Sequence, residues 1–109
     1  MKNNSKLAVA KPWGREVILE RNRWYTVKIL EVLPGRRLSL QYHRWKVESV
    51  YVLSGEVVDR GLFFTTGDFF HVPRGQMHRF ETRAGCRLLE VSHGRNEDIV
   101  RLLDDYNRV

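Results

Sequence analysis

Short apolar runs separated by glycine and proline fill the chain from residue 15 to residue 93. Residues 15–20 and 24–33 are rich in Val, Ile, Trp and Tyr and predict strands. Pro34-Gly35 breaks the second run and starts a turn. Residues 37–43 alternate. Leu38, Leu40 and Tyr42 share one face of a strand, and Arg37, Ser39, Gln41 and His43 share the other. The greasy face is expected to join the core. The polar face lines up groups that are costly to bury unless they meet a ligand, a metal or water. Residues 48–53 form another strand ending at Ser54-Gly55, joined to the previous one by a link short enough for a hairpin. Gly61, Gly67 and Pro73-Arg74-Gly75 punctuate the next stretch, and residues 79–81 and 87–93 complete the strands.

Only the C-terminus predicts a helix. Asn96 suits an N-cap, Glu97 and Asp98 suit a first turn, and Ile99, Leu102, Leu103 and Tyr106 fall on one apolar face. Residues 1–10 read as a loose tail, leaving 11–109 as one domain. The pattern is that of an all-β protein, a small antiparallel barrel or jelly-roll with a short C-terminal helix. Such a barrel can hold one ligand inside.

Composition narrows the function classes. A chain of 109 residues suits one core. No run of about 18 apolar residues predicts a membrane span, and the polar N-terminus does not resemble a signal peptide. The single cysteine, Cys86, fits a reducing cytoplasm and reads as a small buried hydrophobe. The net charge of +6 is spread over interleaved acids and bases with no long like-charge run, which argues against nucleic acid. A basic pocket mouth would suit an anionic small molecule such as a sugar phosphate.

The candidate chemistry lies on the polar face. Gln41 and His43 stand two positions apart and can reach one ion, and Glu48 opens the next strand. His, carboxylate and amide oxygen suit a divalent transition ion, with zinc the first expectation and Mn, Co, Ni or Fe open. Thiolate ligands are absent, which excludes a structural cysteine-type zinc site. His78 is too distant in sequence for spacing to place it beside the others.

Two glycine-framed blocks carry a family resemblance. The first runs from Gly35 through Gln41, His43 and Glu48 to Gly55, and the second from Gly67 through Pro73 and Gly75 to His78 and Thr82. They resemble the two signature motifs of the cupin superfamily, with Gln41 in place of the first histidine and Thr82 in place of asparagine. Lys11-Pro-Trp-Gly14, Arg37-Leu-Ser-Leu-Gln41, Val72-Pro-Arg-Gly75, His78-Arg-Phe-Glu81 and Glu97-Asp-Ile-Val-Arg101 resemble, more narrowly, the isomerase domain of type II mannose-6-phosphate isomerases. That family also carries glutamine in the first ligand slot. The resemblance implies a cupin barrel with Gln41, His43, Glu48 and His78 as metal ligands. It implies interconversion of mannose 6-phosphate and fructose 6-phosphate, a place in carbohydrate metabolism and a homodimer. Arg37, Ser39 and Arg79 are the expected substrate contacts, and Lys46 is the expected general base. A non-haem iron oxygenase and a non-catalytic sugar-binding module are the alternatives on the same barrel.

Overall fold

A computed structural model describes residues 7–94 and 98–108. The strands are β1 (Leu7–Lys11), β2 (Gly14–Arg21), β3 (Thr26–Val32), β4 (Leu40–Tyr42) and β5 (Val47–Asp59). They continue as β6 (Leu62–Thr65), β7 (Phe69–Val72), β8 (Phe80–Glu81), β9 (Cys86–His93) and β10 (Val100–Leu103). All pairings are antiparallel, and the main sheet runs β1-β2-β3-β9-β5-β6, with β7 and β8 also on β5. β4 and β10 form a separate two-stranded ribbon. The expected all-β cupin architecture is therefore present.

β5 joins the two halves of the barrel. Its first part pairs with β7 and β9, and its last part pairs with β6 and β8. The ladder slips between Val52 and Ser54, and Gly55 follows at a φ of 81°. A Cβ there would stand 2.1 Å from the carbonyl oxygen of Gly85. Only glycine lets the bent strand pass so close to its neighbour.

Inward-facing residues form layers that grade from polar to apolar. Thr26 and Glu48 both pair with Ser92. In the next layer Lys28 and Val50 flank Glu90, then Leu30 and Val52 flank Leu88, and last Val32 and Gly55 flank Cys86. The apolar layers with Phe80, Val57 and Trp13 form most of the hydrophobic core, which also takes in Val50 and Val72 from the polar end. Full burial of a valine or leucine there contributes about 1.5–3 kcal/mol. The polar end is also buried, and it holds the site.

Several sequence expectations change. Residues 7–10, read as tail, form β1 with Lys11, while the first six positions lie outside the described residues. β6 and β7 were hidden because their short Phe-rich runs do not alternate. The hairpin between 37–43 and 48–53 does not form, since β4 pairs with β10 and β5 pairs elsewhere. From Ser39 onward the polar face points inward: Ser39, Gln41 and His43 are buried and Leu40 and Tyr42 only partly so, while Leu38 joins the core as expected.

No helix occurs among the described residues, so the expected C-terminal helix is corrected. Asn96 and Glu97 lie outside the described residues. β10 instead pairs Val100 with Tyr42, Arg101 with Gln41 and Leu103 with Leu40. The β-branched pair Ile99-Val100 favours this, and the open edge of β4 supplies partners that a helix would leave unused. Leu102 and Leu103, expected on the buried helix face, are 47% and 59% exposed.

Candidate metal centre

The first glycine-framed block supplies β4, and the second returns beside it. Gln41 and His78 exchange backbone hydrogen bonds in both directions, at 3.0 and 2.8 Å, and Gly75 N–H donates to the carbonyl of His43. This local pairing answers the question that spacing left open, because it sets His78 directly across from Gln41. Glu48 enters from the start of β5. Ligand atoms of His43, Glu48 and His78 all lie within 4.8 Å of one another, and all three residues are buried.

Both imidazoles are oriented from behind. His43 Nδ1–H donates to the backbone carbonyl of Asp98 at 2.6 Å, and His78 Nδ1–H donates to that of Gln76 at 3.3 Å. Each ring, when neutral, then offers a bare Nε2 lone pair to the interior. Burial pushes the His78 imidazolium toward its neutral form, and the nearby Glu48 opposes it. His43 Nε2 stands 2.8 Å from Glu48 Oε1. Even so, His43 Nε2 and Glu48 Oε2 have no hydrogen-bond partner, so the close pair lacks hydrogen-bond alignment. Burial alone would raise the Glu48 carboxyl, but His43 beside it and the Lys46 ammonium hold it well below the usual carboxylate range. A buried carboxylate facing an imidazole lone pair is repulsive without a cation between them.

Gln41 lies beside these atoms with its amide nitrogen turned toward them. Its Oε1 accepts from Ser39 Oγ at 2.6 Å, while its Nε2 faces His78 Nε2 at 3.4 Å. A half-turn of the amide exchanges the two, since a serine hydroxyl donates and accepts equally well. The oxygen would then face the three ligand atoms. Ser39, expected at the substrate, is instead the residue that sets this amide.

The other expected site residues lie elsewhere or do something different. Lys46 is buried, with Nζ 3.0 Å from Glu48 Oε1 and 4.0 Å from Glu90 Oε2. It is a counter-charge, and an ammonium held by a carboxylate is poorly suited to accept a proton. Arg37 makes a two-point ion pair with Asp105, at 2.7 and 2.9 Å, beside an open groove of about 570 Å³. Arg79 holds the same carboxylate at 3.1 Å and donates to the carbonyl of Leu38. Neither arginine lines the cavity of Gln41, Glu48 and His78. Trp13 is in the core and lines that cavity, whereas Trp45 is exposed. Cys86 is buried with its thiol pushed up to about 11 by burial, so it is inert packing.

Sequence reasoning missed a second layer of charge. Lys28 bridges Glu16 at 3.3 Å and Glu90 at 3.6 Å. Burial pushes Glu90 up to about 7, with Glu48 adding to the rise. The signal was present: Lys28 shares its parity with Leu30 and Val32, and Glu90 shares its parity with Leu88 and Cys86. Asp98 was missed as well. Its carboxylate accepts from the backbone N–H groups of Arg44, Trp45 and Lys46 at 3.1, 2.7 and 3.0 Å.

Known proteins place the chain in a family. It is 35% identical over 109 residues to the xanthan biosynthesis protein XanB of Xanthomonas campestris pv. campestris (strain B100), covering 92% of this chain and 23% of that protein. It is 30% identical over 110 residues to a mannose-1-phosphate guanylyltransferase of Escherichia coli (strain K12), covering 93% and 23%. The chain thus spans about a quarter of the length of these relatives. Among solved structures, an RmlC-like cupin from Shewanella frigidimarina matches with a TM-score of 0.77 at 22% identity, over 90% of this chain and 92% of that one. The polyketide cyclase RemF from Streptomyces resistomycificus matches with a TM-score of 0.78 at 23% identity, over 96% and 88%. These two likenesses concern the fold alone. The relatives correct the expected interconversion of mannose 6-phosphate and fructose 6-phosphate, because they are named for guanylyl transfer and polysaccharide biosynthesis, not as isomerases. Residues 1–105 match the family described as "Mannose-6-phosphate isomerase C-terminal", and the chain belongs to that family.

Proposed function

We propose that this domain binds a divalent transition ion through His43, Glu48 and His78, with Gln41 joining once its amide turns, and that the ion receives a mannosyl phosphate. The observation that carries the reading is the buried contact of His43 Nε2 with Glu48 Oε1 at 2.8 Å, beside two unpartnered ligand atoms. Two imidazoles, a carboxylate and an amide oxygen suit Zn, Mn, Fe, Co or Ni. A bound ion would supply Lewis acidity toward sugar oxygens. The chain's own residues do the rest. Asp98 and Gln76 fix the imidazole tautomers, Ser39 holds the Gln41 amide, and Lys46 balances the carboxylates of Glu48 and Glu90. The sugar-phosphate part is supported by relatives named for mannose 1-phosphate.

The test is metal analysis of the purified chain, followed by calorimetry with mannose 1-phosphate. One tightly held ion per chain is expected, with affinity falling about 100-fold or more in His43→Ala and His78→Ala. Equal metal affinity in those variants would overturn the reading.

A further inference from the structure

The cavity beside the metal cluster has a volume of about 40 Å³. That space holds a few water molecules and lies an order of magnitude below what small-molecule pockets offer. Ile99, Arg101 and Arg108 line it on one side, against Gln41, Glu48 and His78. The wall that keeps it small is therefore the C-terminal segment, residues 98–108.

This wall is held differently from the rest of the barrel. Among the described strands β10 pairs with β4 alone, and the register shifts between Arg101 and Leu103. None of its four residues is buried. Gln41 uses its backbone N–H and C=O on His78, so the hydrogen bonds to β10 fall to Leu40 and Tyr42. So few bonds and so little buried apolar surface mark a unit that opens at low cost. Tyr106 adds a contact with the core. The stronger attachments are two carboxylates. At the start of the segment, Asp98 gathers the N–H groups of Arg44, Trp45 and Lys46, and its carbonyl accepts from His43. Near the end, Asp105 is gripped by Arg37 and Arg79 at the surface.

We propose that residues 98–108 are a lid over the metal site, latched by Asp98 and Asp105, and that sugar and metal pass only when it lifts. The inference rests on the metal-and-mannosyl-phosphate reading above and concerns access to that same site. It gives Arg37 and Arg79 a task at the latch. Lifting also takes the Asp98 carbonyl away from His43, so the ion keeps its full set of oriented ligands only under a closed lid. Sugar entry and metal release then share one opening step.

A reversible staple tests this. Val100 and Tyr42 are direct cross-strand partners in the hydrogen-bonded position, about 5.5 Å apart at Cα, which a disulfide can span. Both side chains lie on the face of the ribbon opposite Gln41 and Arg101. The full zinc-loaded chain carrying Val100→Cys and Tyr42→Cys should, when oxidised, take up mannose 1-phosphate and yield zinc to a chelator about 10-fold more slowly or worse. Reduction should restore both rates. Asp105→Asn should do the reverse, raising both rates by one common factor of about 3 to 5. Zinc affinity should stay unchanged there, because the closed form remains dominant. Equal rates in the oxidised and reduced forms would overturn the lid and leave the metal site standing. If the wild type binds zinc but no mannose 1-phosphate, the sugar-phosphate reading falls and zinc extraction decides the lid. Hydrogen exchange decides it on unaltered protein, with or without metal: the Val100 and Tyr42 amides should exchange well before those of β3 and β9. Exchange of all of them together, only on global unfolding, would overturn it.

Discussion

Two clusters of charge in this molecule were each legible as ligand contacts, and the structure treats them oppositely. Around His43, Glu48 and His78 the charges are buried, and two ligand atoms lack a partner. Around Asp105 the arginines are matched: Arg37 and Arg79 both close on one carboxylate at the surface. The first arrangement leaves bonding capacity unmet in the interior, which the proposed cation would complete. The second is complete, and at the surface water screens what it gains. The presence of charged residues on a strand says little about a site; unmet bonding capacity in the interior says more.

The sharpest test of that difference is Lys46→Met. It removes the nearest ammonium from Glu48 and leaves Glu90 with Lys28 alone, and breaking a buried pair this way costs about 3–5 kcal/mol. Urea unfolding with a chelator present should show the loss, and stoichiometric zinc should restore much of it. No recovery with zinc would mean that the ion does not take over the role of counter-charge.

Next in size is the pH dependence of Glu90. A carboxyl raised from 4.5 to about 7 binds its proton more tightly folded than unfolded. Its contribution therefore favours the folded state at low pH and is lost as pH climbs between those values. The loss is on the order of 3 kcal/mol. Glu48, whose folded value is lowered, acts in the other direction and below the Glu90 window. His78, also lowered, loses stability as pH falls through the ordinary imidazole range. The difference between wild type and Glu90→Gln isolates the Glu90 share. In metal-free protein the wild type should lose ground against the variant from pH 5 to pH 8, and a constant gap would refute the assignment.

A smaller effect is expected of Ser39→Ala. Losing the partner that orients a ligand amide typically costs about 10-fold in metal affinity. No change in a zinc competition assay would remove Gln41 from the ligand set. Smallest is Asp105→Asn, which should cost at most about 1 kcal/mol and leave metal binding untouched. A larger loss of metal would join the two clusters that the structure keeps apart.

How far the sequence could be read depends on the range of each signal. Alternation over 37–43 put Gln41 and His43 on one face, because strand periodicity is local. It did not tell which face points inward, since the polar side turned out to line the barrel. His78 needed the paired motifs, because the bridge to Gln41 spans a long separation. The C-terminal segment misled for a physical reason. Its apolar spacing fits a helix, but the bare edge of β4 supplies backbone partners that spacing does not encode. Arg101 and Asp98 were therefore assigned to the wrong geometry. Parity and motif position did not show that Asp105 lies between Arg37 and Arg79.

The hydrogen bond from His43 to the carbonyl of Asp98 has a consequence in time. It joins residues 55 positions apart in the chain. A ribosome adding about 5–20 residues per second takes roughly 3–11 s to travel from one to the other. Throughout that interval the first histidine exists without the group that fixes its tautomer, and the loop after it lacks the carboxylate that gathers its N–H groups. On the proposed reading, metal capture falls late in synthesis, after nearly all of the barrel has been made.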